Sequence, residues 1–381
     1  IKLKLLLSKR EEKTMLYTAE HHELMRTTQK FVENEINPFV DEWEAAGAFP
    51  IKEIFKKMGD LGLLGISKPV EFGGMGLDYS YSIVAAEEFG LCKCGGVPLA
   101  IGVQTDMCTP ALARFGSDEL REQFLKPAIA GDMIGCIGVS EPGAGSDANS
   151  GKTTAELSAD GKSYKINGQK MWISNAGFCS LMIVFARIED DKNITGFIVE
   201  YDGEKPNGIV LGEEEHKLGI RASSTRQVFF NDTVVPIENM LAGRGEGFKI
   251  AMNALNVGRI KLAAACLDSQ RRILTTAVNY ANERKQFKTP ISDFGAIKVK
   301  LAEMATSAYA GESATYRAAK NIEDRIALRE AAGNTHQEAE LKGVEEYAIE
   351  CSILKVAVSE DVQNAADEGI QIFGGMGFSE E

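Results

Sequence analysis

The spacing of apolar residues changes period twice along this 381-residue chain, and that change restricts the fold more than any single motif. Up to about residue 135 the pattern is helical. Thr18 stands as an N-cap before a run to Ile36 in which Leu24, Phe31, Val32 and Ile36 mark one face. A second run carries Ile54, Phe55, Met58 and Leu61 at three- and four-residue spacings, and LGLLGISKPVEFGGMGLD then supplies turn chemistry. Residues 79–89, 109–115 and 118–131 return to helical spacing. Past 135, five runs rich in β-branched and aromatic residues take over: KTTAELS, SYKINGQKMWIS, SLMIVFARI, ITGFIVEY and RQVFFNDTVV, punctuated by Asp-Gly and Asn-Gly. Helix returns at Gly247 in three long segments, 247–287, 293–325 and 335–368. The expected class is α+β, with an N-terminal helical domain over 1–135, a middle β domain over 136–246 and a C-terminal helical bundle over 247–381. The β domain has the length of a small barrel or sandwich.

Composition narrows the function. Lys and Arg total 42 against 55 Asp and Glu, a formal charge of -13, so no basic surplus offsets phosphate repulsion and nucleic acid is not an expected partner. No stretch reaches the roughly 18 uninterrupted apolar residues of a membrane span. The opening IKLKLLLSKREEKT runs into charge without a small-residue cleavage site, so no signal peptide is read there. Ile1 in place of Met points to a missing start. The seven cysteines are odd in number and sit among apolar or small residues, which predicts reduced, buried thiols. Cys92 and Cys94 form a lone C-x-C, and with four His no zinc or other metal site is expected.

Three glycine-rich stretches, 72–76, 143–146 and 243–247, match neither the dinucleotide-binding nor the P-loop spacing. The stretch from Val139 to Asp147, VSEPGAGSD, stands where helix gives way to strand; it is either a tight domain-crossing loop or a polar edge for a cofactor. Trp172 ends a strand-like run with Ser174 two residues on, the same strand face, so it is either a core Trp or a platform for a planar group. Arg259 lies in an apolar helical run and calls for a carboxylate or phosphate partner. Arg284 and Phe287 could pair a cation with an aromatic at an interface. The histidines at 21, 22, 216 and 336 read as solvated, and Glu346 and Glu350 as one solvated helical face. No Ser-His-Asp set emerges.

Taken in order, SEPGAGSDANS, GQKMWISNAG, HKLGIRASSTRQVFF, GFKIAMNALNVGR, ERKQF and QIFGGMG resemble the acyl-CoA dehydrogenases over about residues 20–381, and SSTR and NVGR resemble the very-long-chain branch and its bacterial relatives. The resemblance implies FAD between the β domain and the bundle, reaching toward a neighbouring subunit. It places Ser140 at the flavin ring, with Trp172 stacked near it and Ser174 adding a hydroxyl. Arg284, Phe287, Gln371, Gly374 and Gly375 would touch the adenosine-diphosphate part of a neighbour's FAD. Ser146 would contact acyl-CoA and Arg259 would lie beneath the thioester end of the pocket.

The implied activity is FAD-dependent α,β-dehydrogenation of medium- to very-long-chain acyl-CoA to trans-2-enoyl-CoA in fatty-acid β-oxidation, with electrons passed to an electron-transferring flavoprotein. A homodimer or homotetramer is implied, in a bacterial cytoplasm or, in a eukaryote, the mitochondrial matrix. The α-proton is weakly acidic, so donors must meet the thioester oxygen as charge develops there, each worth roughly 3–4 kcal/mol. The family's basic glutamate occupies one of two positions. Gly258 stands at the first, and the second is expected beyond Glu381, as is any further C-terminal region, so the catalytic residue is left unassigned. Gly258 either makes room for a long acyl chain or permits close helix packing. An acyl-CoA oxidase and a non-catalytic FAD- and acyl-CoA-binding scaffold remain as alternatives.

Overall fold

The computed structural model describes residues 17–203, 205 and 207–379; the opening segment read for a signal peptide and the terminal Glu380 and Glu381 lie outside them. Helices, then strands, then helices follow one another as the period changes require. Thr18 caps the Ala19–Phe31 helix, its backbone N–H donating to His21 Nδ1 at 3.1 Å. His21 is buried, stacks on Tyr81 with ring centroids 3.6 Å apart and meets Ser80 Oγ at 2.8 Å. It is therefore not solvated, as its spacing implied; His22 is. The helix runs on through a wider turn at Val32–Ile36.

Among the described residues eight strands form the middle region: β1 (Gly135–Gly138), β2 (Thr154–Leu157), β3 (Ser163–Ser174), β4 (Leu181–Ile188), β5 (Thr195–Glu200), β6 (Ile209–Glu214), β7 (Thr225–Pro236) and β8 (Met240–Leu241). Their order is β6-β7-β3-β2-β4-β5-β8, with β1 parallel to β4. Strands β1, β6 and β8 were not among the five runs read from sequence. β1 is wholly buried and half glycine, so it shows no alternation, and β8 is two residues long. Asn167–Gly168 is not a turn; it lies inside β3, where the register against β7 shifts and Gly168 takes φ 149°.

The unbroken apolar run of β4 is explained by burial on both faces. Leu181, Ile183 and Phe185 pack with Ile250 and Ala254 of the long helix Gly247–Glu283, while Met182, Val184 and Ala186 join the interior of the β region. This contact positions the sheet against the bundle.

The bundle is built on that helix, Gly295–Ala331, His336–Glu346 and Ala348–Phe373. The segment expected as one helix over 335–368 breaks at Tyr347. Before the break Gly343 packs on Ile326, and after it the chain runs beside the Gly247–Glu283 helix. Glu346 and Glu350 therefore sit on different helices, and Glu346 binds Arg325 and Arg329. Arg259 meets Ser352 and Tyr280 meets Phe373, pairs with the same separation of 93 residues, so these two helices lie parallel. By length and composition the Gly247–Glu283 helix could cross a membrane, and 61% of its most apolar window is buried within the protein.

Candidate functional site

At the end of β3, Lys170 pairs with Val228 and Ile173 with Arg226, leaving Met171 and Trp172 opposite Gln227 alone. This bulge re-aims the strand. Trp172 takes φ 56°, a conformation disfavoured for its bulky side chain, and its indole stands 62% exposed. Freed from the ladder, the Met171 N–H donates to Ser140 O at 2.9 Å. The structure thus brings Ser140 next to the strand position before Trp172, and Ser174 follows buried Ile173 two residues on. Among the described residues neither the Ser140 nor the Ser174 hydroxyl has a hydrogen-bond partner. Ser146 is exposed just past a turn closed by Glu141 and Ala144.

A pair that motif reading missed holds this arrangement. Lys170 Nζ donates to Glu141 Oε1 at 2.7 Å, with the two side chains 2% and 7% exposed. The same ammonium reaches Val139 O at 3.4 Å, so it grips the chain on both sides of Ser140. The Glu141 carboxylate also accepts from the N–H groups of Lys152 and Thr153. Burial raises the Glu141 pKa, but the Lys170 charge and these hydrogen bonds outweigh it and hold the carboxyl below its ordinary value. The sequence signal was one charge near the start of each of two quoted motifs, indistinguishable there from solvated positions.

The 215–225 loop is tied in similarly. The Glu214 carboxylate accepts from Ser224 Oγ at 2.7 Å, Thr225 N at 2.9 Å and Arg226 Nε at 2.7 Å. Ser224 Oγ in turn accepts from Gly177 N, just beyond Ser174.

A cleft of about 530 Å³ lies between the N-terminal helices and the Gly247–Glu283 helix. Hydrocarbon from Leu64, Phe89, Leu99, Met107 and Leu262 dominates it, and Gly258 and Arg259 open onto it. A Cβ on Gly258 would find Met107 Cγ at 3.7 Å as its nearest neighbour, an ordinary contact, so close packing does not require glycine there. Arg259 donates to Asn256 Oδ1 at 2.8 Å and Ser352 Oγ at 3.2 Å. Of the carboxylate or phosphate expected for it, no carboxylate meets it among the described residues; two neutral acceptors bind one of its nitrogens instead. Neither Ser140 nor Trp172 lines this cleft.

The remaining predicted residues gather elsewhere. Arg284 precedes a short hairpin of Lys285–Gln286 with Thr289–Pro290, and Phe287 stands in its turn, 91% exposed at φ 51°. Tyr280 stacks on Phe373 at 4.0 Å, which brings that hairpin beside Gln371, Gly374 and Gly375. Among the described residues no hydrogen bond or ring contact joins this group to Ser140, Trp172 or Ser174, and no cluster of His, Cys, Asp or Glu could hold a metal.

Comparison with known proteins bears on this geometry. Acyl-CoA dehydrogenase N-terminal, middle and C-terminal domains match residues 18–132, 136–233 and 245–381. A probable acyl-CoA dehydrogenase of Bacillus subtilis is 39% identical over 96% of this chain, which spans 60% of that relative's length. The mitochondrial short-chain specific acyl-CoA dehydrogenase of Homo sapiens is 36% identical, covering 95% of this chain and 82% of its own. The crystal structure of an acyl-CoA dehydrogenase complexed with FAD from Bacillus anthracis superposes with a TM-score of 0.89 at 38% identity, over 96% of this chain and 61% of that one. These findings overturn the expected place in the very-long-chain branch, because the relatives whose names specify a chain length are short-chain specific. The match in all three regions, in the order in which the helical and β segments pack, has one meaning: the chain belongs to the acyl-CoA dehydrogenase family.

Proposed function

We propose that this chain binds FAD and an acyl-CoA thioester and serves α,β-dehydrogenation of the acyl group to the trans-2-enoyl-CoA. The observation that carries the reading is the open Trp172 indole beside the unpartnered Ser140 and Ser174 hydroxyls. A flat aromatic face next to free donors fits a flavin ring. Bound there, FAD supplies the two-electron oxidation that no side chain provides. Ser140 and Ser174 would hydrogen-bond the ring, and the Lys170–Glu141 pair keeps Ser140 in place. Arg284, Phe287, Gln371, Gly374 and Gly375 form an exposed group suited to the adenosine-diphosphate part of a neighbouring subunit's FAD. Ser146 would contact the acyl-CoA, Arg259 would lie below the thioester end, and the cleft would exclude water from the chain. No catalytic base is assigned.

Within the expected range of acyl lengths we retain the medium end, for which the cleft volume has room. We keep the domain boundaries near 135 and 246, where the first strand and the Gly247–Glu283 helix begin. Ile349, Ile353 and Val356 form an exposed apolar stripe on one helix, which supports a homodimer or homotetramer. The relatives come from bacterial cells and from mammalian mitochondria, in keeping with either location. An electron-transferring flavoprotein is the proposed oxidant.

The test is spectroscopic. The chain, saturated with FAD and freed of excess, is expected to be yellow, and a series of acyl-CoA esters added without oxygen is expected to bleach it or shift its spectrum. A colourless product sinks the reading. Rapid recolouring by oxygen would favour an oxidase, and bound flavin indifferent to every thioester a scaffold.

A further inference from the structure

One part of the cleft wall is out of keeping with the rest. Lys68, Thr105, Asp106 and Lys261 stand together on it, brought from a loop, a π turn and the Gly247–Glu283 helix. Lys261 pairs with Asp106, whose Oδ1 also accepts from Thr105 Oγ1 at 2.6 Å. Behind them Arg114 holds Glu340 through two nitrogens, the closer at 2.6 Å. Both nearby carboxylates are thus already engaged by other cations.

Among the described residues Lys68 has no such partner. It is 7% exposed, and its ammonium donates to one neutral acceptor, Thr105 O, at 3.2 Å. Three cations (Lys68, Lys261 and Arg114) face two carboxylates (Asp106 and Glu340), so the cluster carries one unmatched positive charge whenever Lys68 is protonated. An ammonium in that position is unfavourable unless an anion reaches it. Burial pulls its pKa down to about 7, and the Lys261 charge pulls the same way. Lys68 also borders a second cavity, about 250 Å³, on whose wall Arg114 and Glu340 lie, so it stands in a polar partition between two open spaces.

We propose that Lys68 receives a terminal carboxylate, and that the cleft therefore selects acyl-CoA esters whose chain ends in a carboxyl group over those ending in a methyl group. The inference rests on the acyl-CoA reading above and specifies its substrate class. An incoming carboxylate supplies the missing negative charge and accepts the ammonium's remaining protons, a charge-assisted contact in a dry site. A methyl terminus would leave that ammonium buried as it is.

The experiment is calorimetric titration of the FAD-loaded protein with ω-carboxyacyl-CoA esters from glutaryl to sebacoyl, each against the unsubstituted ester of equal length. At one length in the series the carboxylated ester is expected to bind at least about tenfold more tightly. Lys68→Met should abolish that preference without weakening the unsubstituted ester, and Lys68→Arg should keep it. Equal or weaker binding of the carboxylated ester at every length overturns the inference, as does a preference that survives in Lys68→Met. If neither class binds and free CoA competes with nothing, the acyl-CoA reading fails first and takes this one with it. A thermal melt of each variant separates lost recognition from lost folding, since removing an unpaired buried cation should leave the protein at least as stable.

Discussion

Lys170 Nζ lies 2.7 Å from Glu141 Oε1, and through that contact a strand and a turn 29 residues apart become one rigid frame around Ser140. Lys170→Met would leave a buried carboxylate without its cation, at a cost of about 3–5 kcal/mol. Chemical denaturation should report a loss of this order, and flavin content after gel filtration should fall with it. The pH dependence has a definite sign. The folded Glu141 pKa lies below its unfolded value, so its contribution is complete above the unfolded carboxyl's pKa of about 4.3 and is lost as pH falls through the folded value. Acid unfolding of Glu141→Gln should lack that component.

Glu323 behaves in the opposite sense. Burial, with the Asp78 charge beside it, raises its pKa to about 7, although it accepts the Ser80 N–H at 3.0 Å. A carboxyl whose folded pKa exceeds the unfolded one penalises folding fully above the folded value, and the penalty fades as pH falls toward the unfolded value. Glu323→Gln should therefore melt higher than the parent at about pH 8, with the gap closing toward about pH 5. An equal gap at both pH values would refute this account.

Gly258 sits in a helix interior with room for a methyl group. Gly258→Ala should stabilise the fold by up to about 1 kcal/mol through helix propensity, seen as a rise in melting temperature. Gly258→Leu should fill the cleft, and acyl-CoA affinity should then fall more steeply as the chain lengthens.

Trp172 combines a left-handed backbone with an exposed ring. Trp172→Gly removes the strain and little buried surface, so the flavin-free protein should be no less stable, and up to about 1 kcal/mol more so. Fluorescence titration with FAD should nevertheless show a clear loss of affinity. Unchanged affinity would remove Trp172 from the proposed site.

Much of the architecture was legible because apolar period is a local property: helix over 79–89, the runs of β3, β4 and β7, and the long helix at Gly247 all carry it. The Ser140–Trp172 neighbourhood was legible through its motifs. What escaped was set by tertiary partners. Lys170 and Glu141 look like surface charges until the strand and turn meet, and Lys68, Asp106 and Lys261 come from three separate elements. His21 looked solvated because its burial comes from Tyr81 and Ser80, about 60 residues on. The segments that pointed to the very-long-chain branch belong to the frame: Ser224, Thr225 and Arg226 bind Glu214, and Arg259 binds Ser352.

The Gly247–Glu283 helix also acts as a yardstick. Its 37 residues span about 55 Å, starting against β5, lining the cleft midway and ending at the hairpin of Arg284 and Phe287. Its parallel neighbour locks onto it at two points with identical offset. An axial slip of one residue would displace the cleft wall and the hairpin together by about 1.5 Å. The distance between the place where an acyl chain would lie and the place where a neighbouring subunit would be met is thereby written into a single rod, and neither can be retuned without disturbing the other.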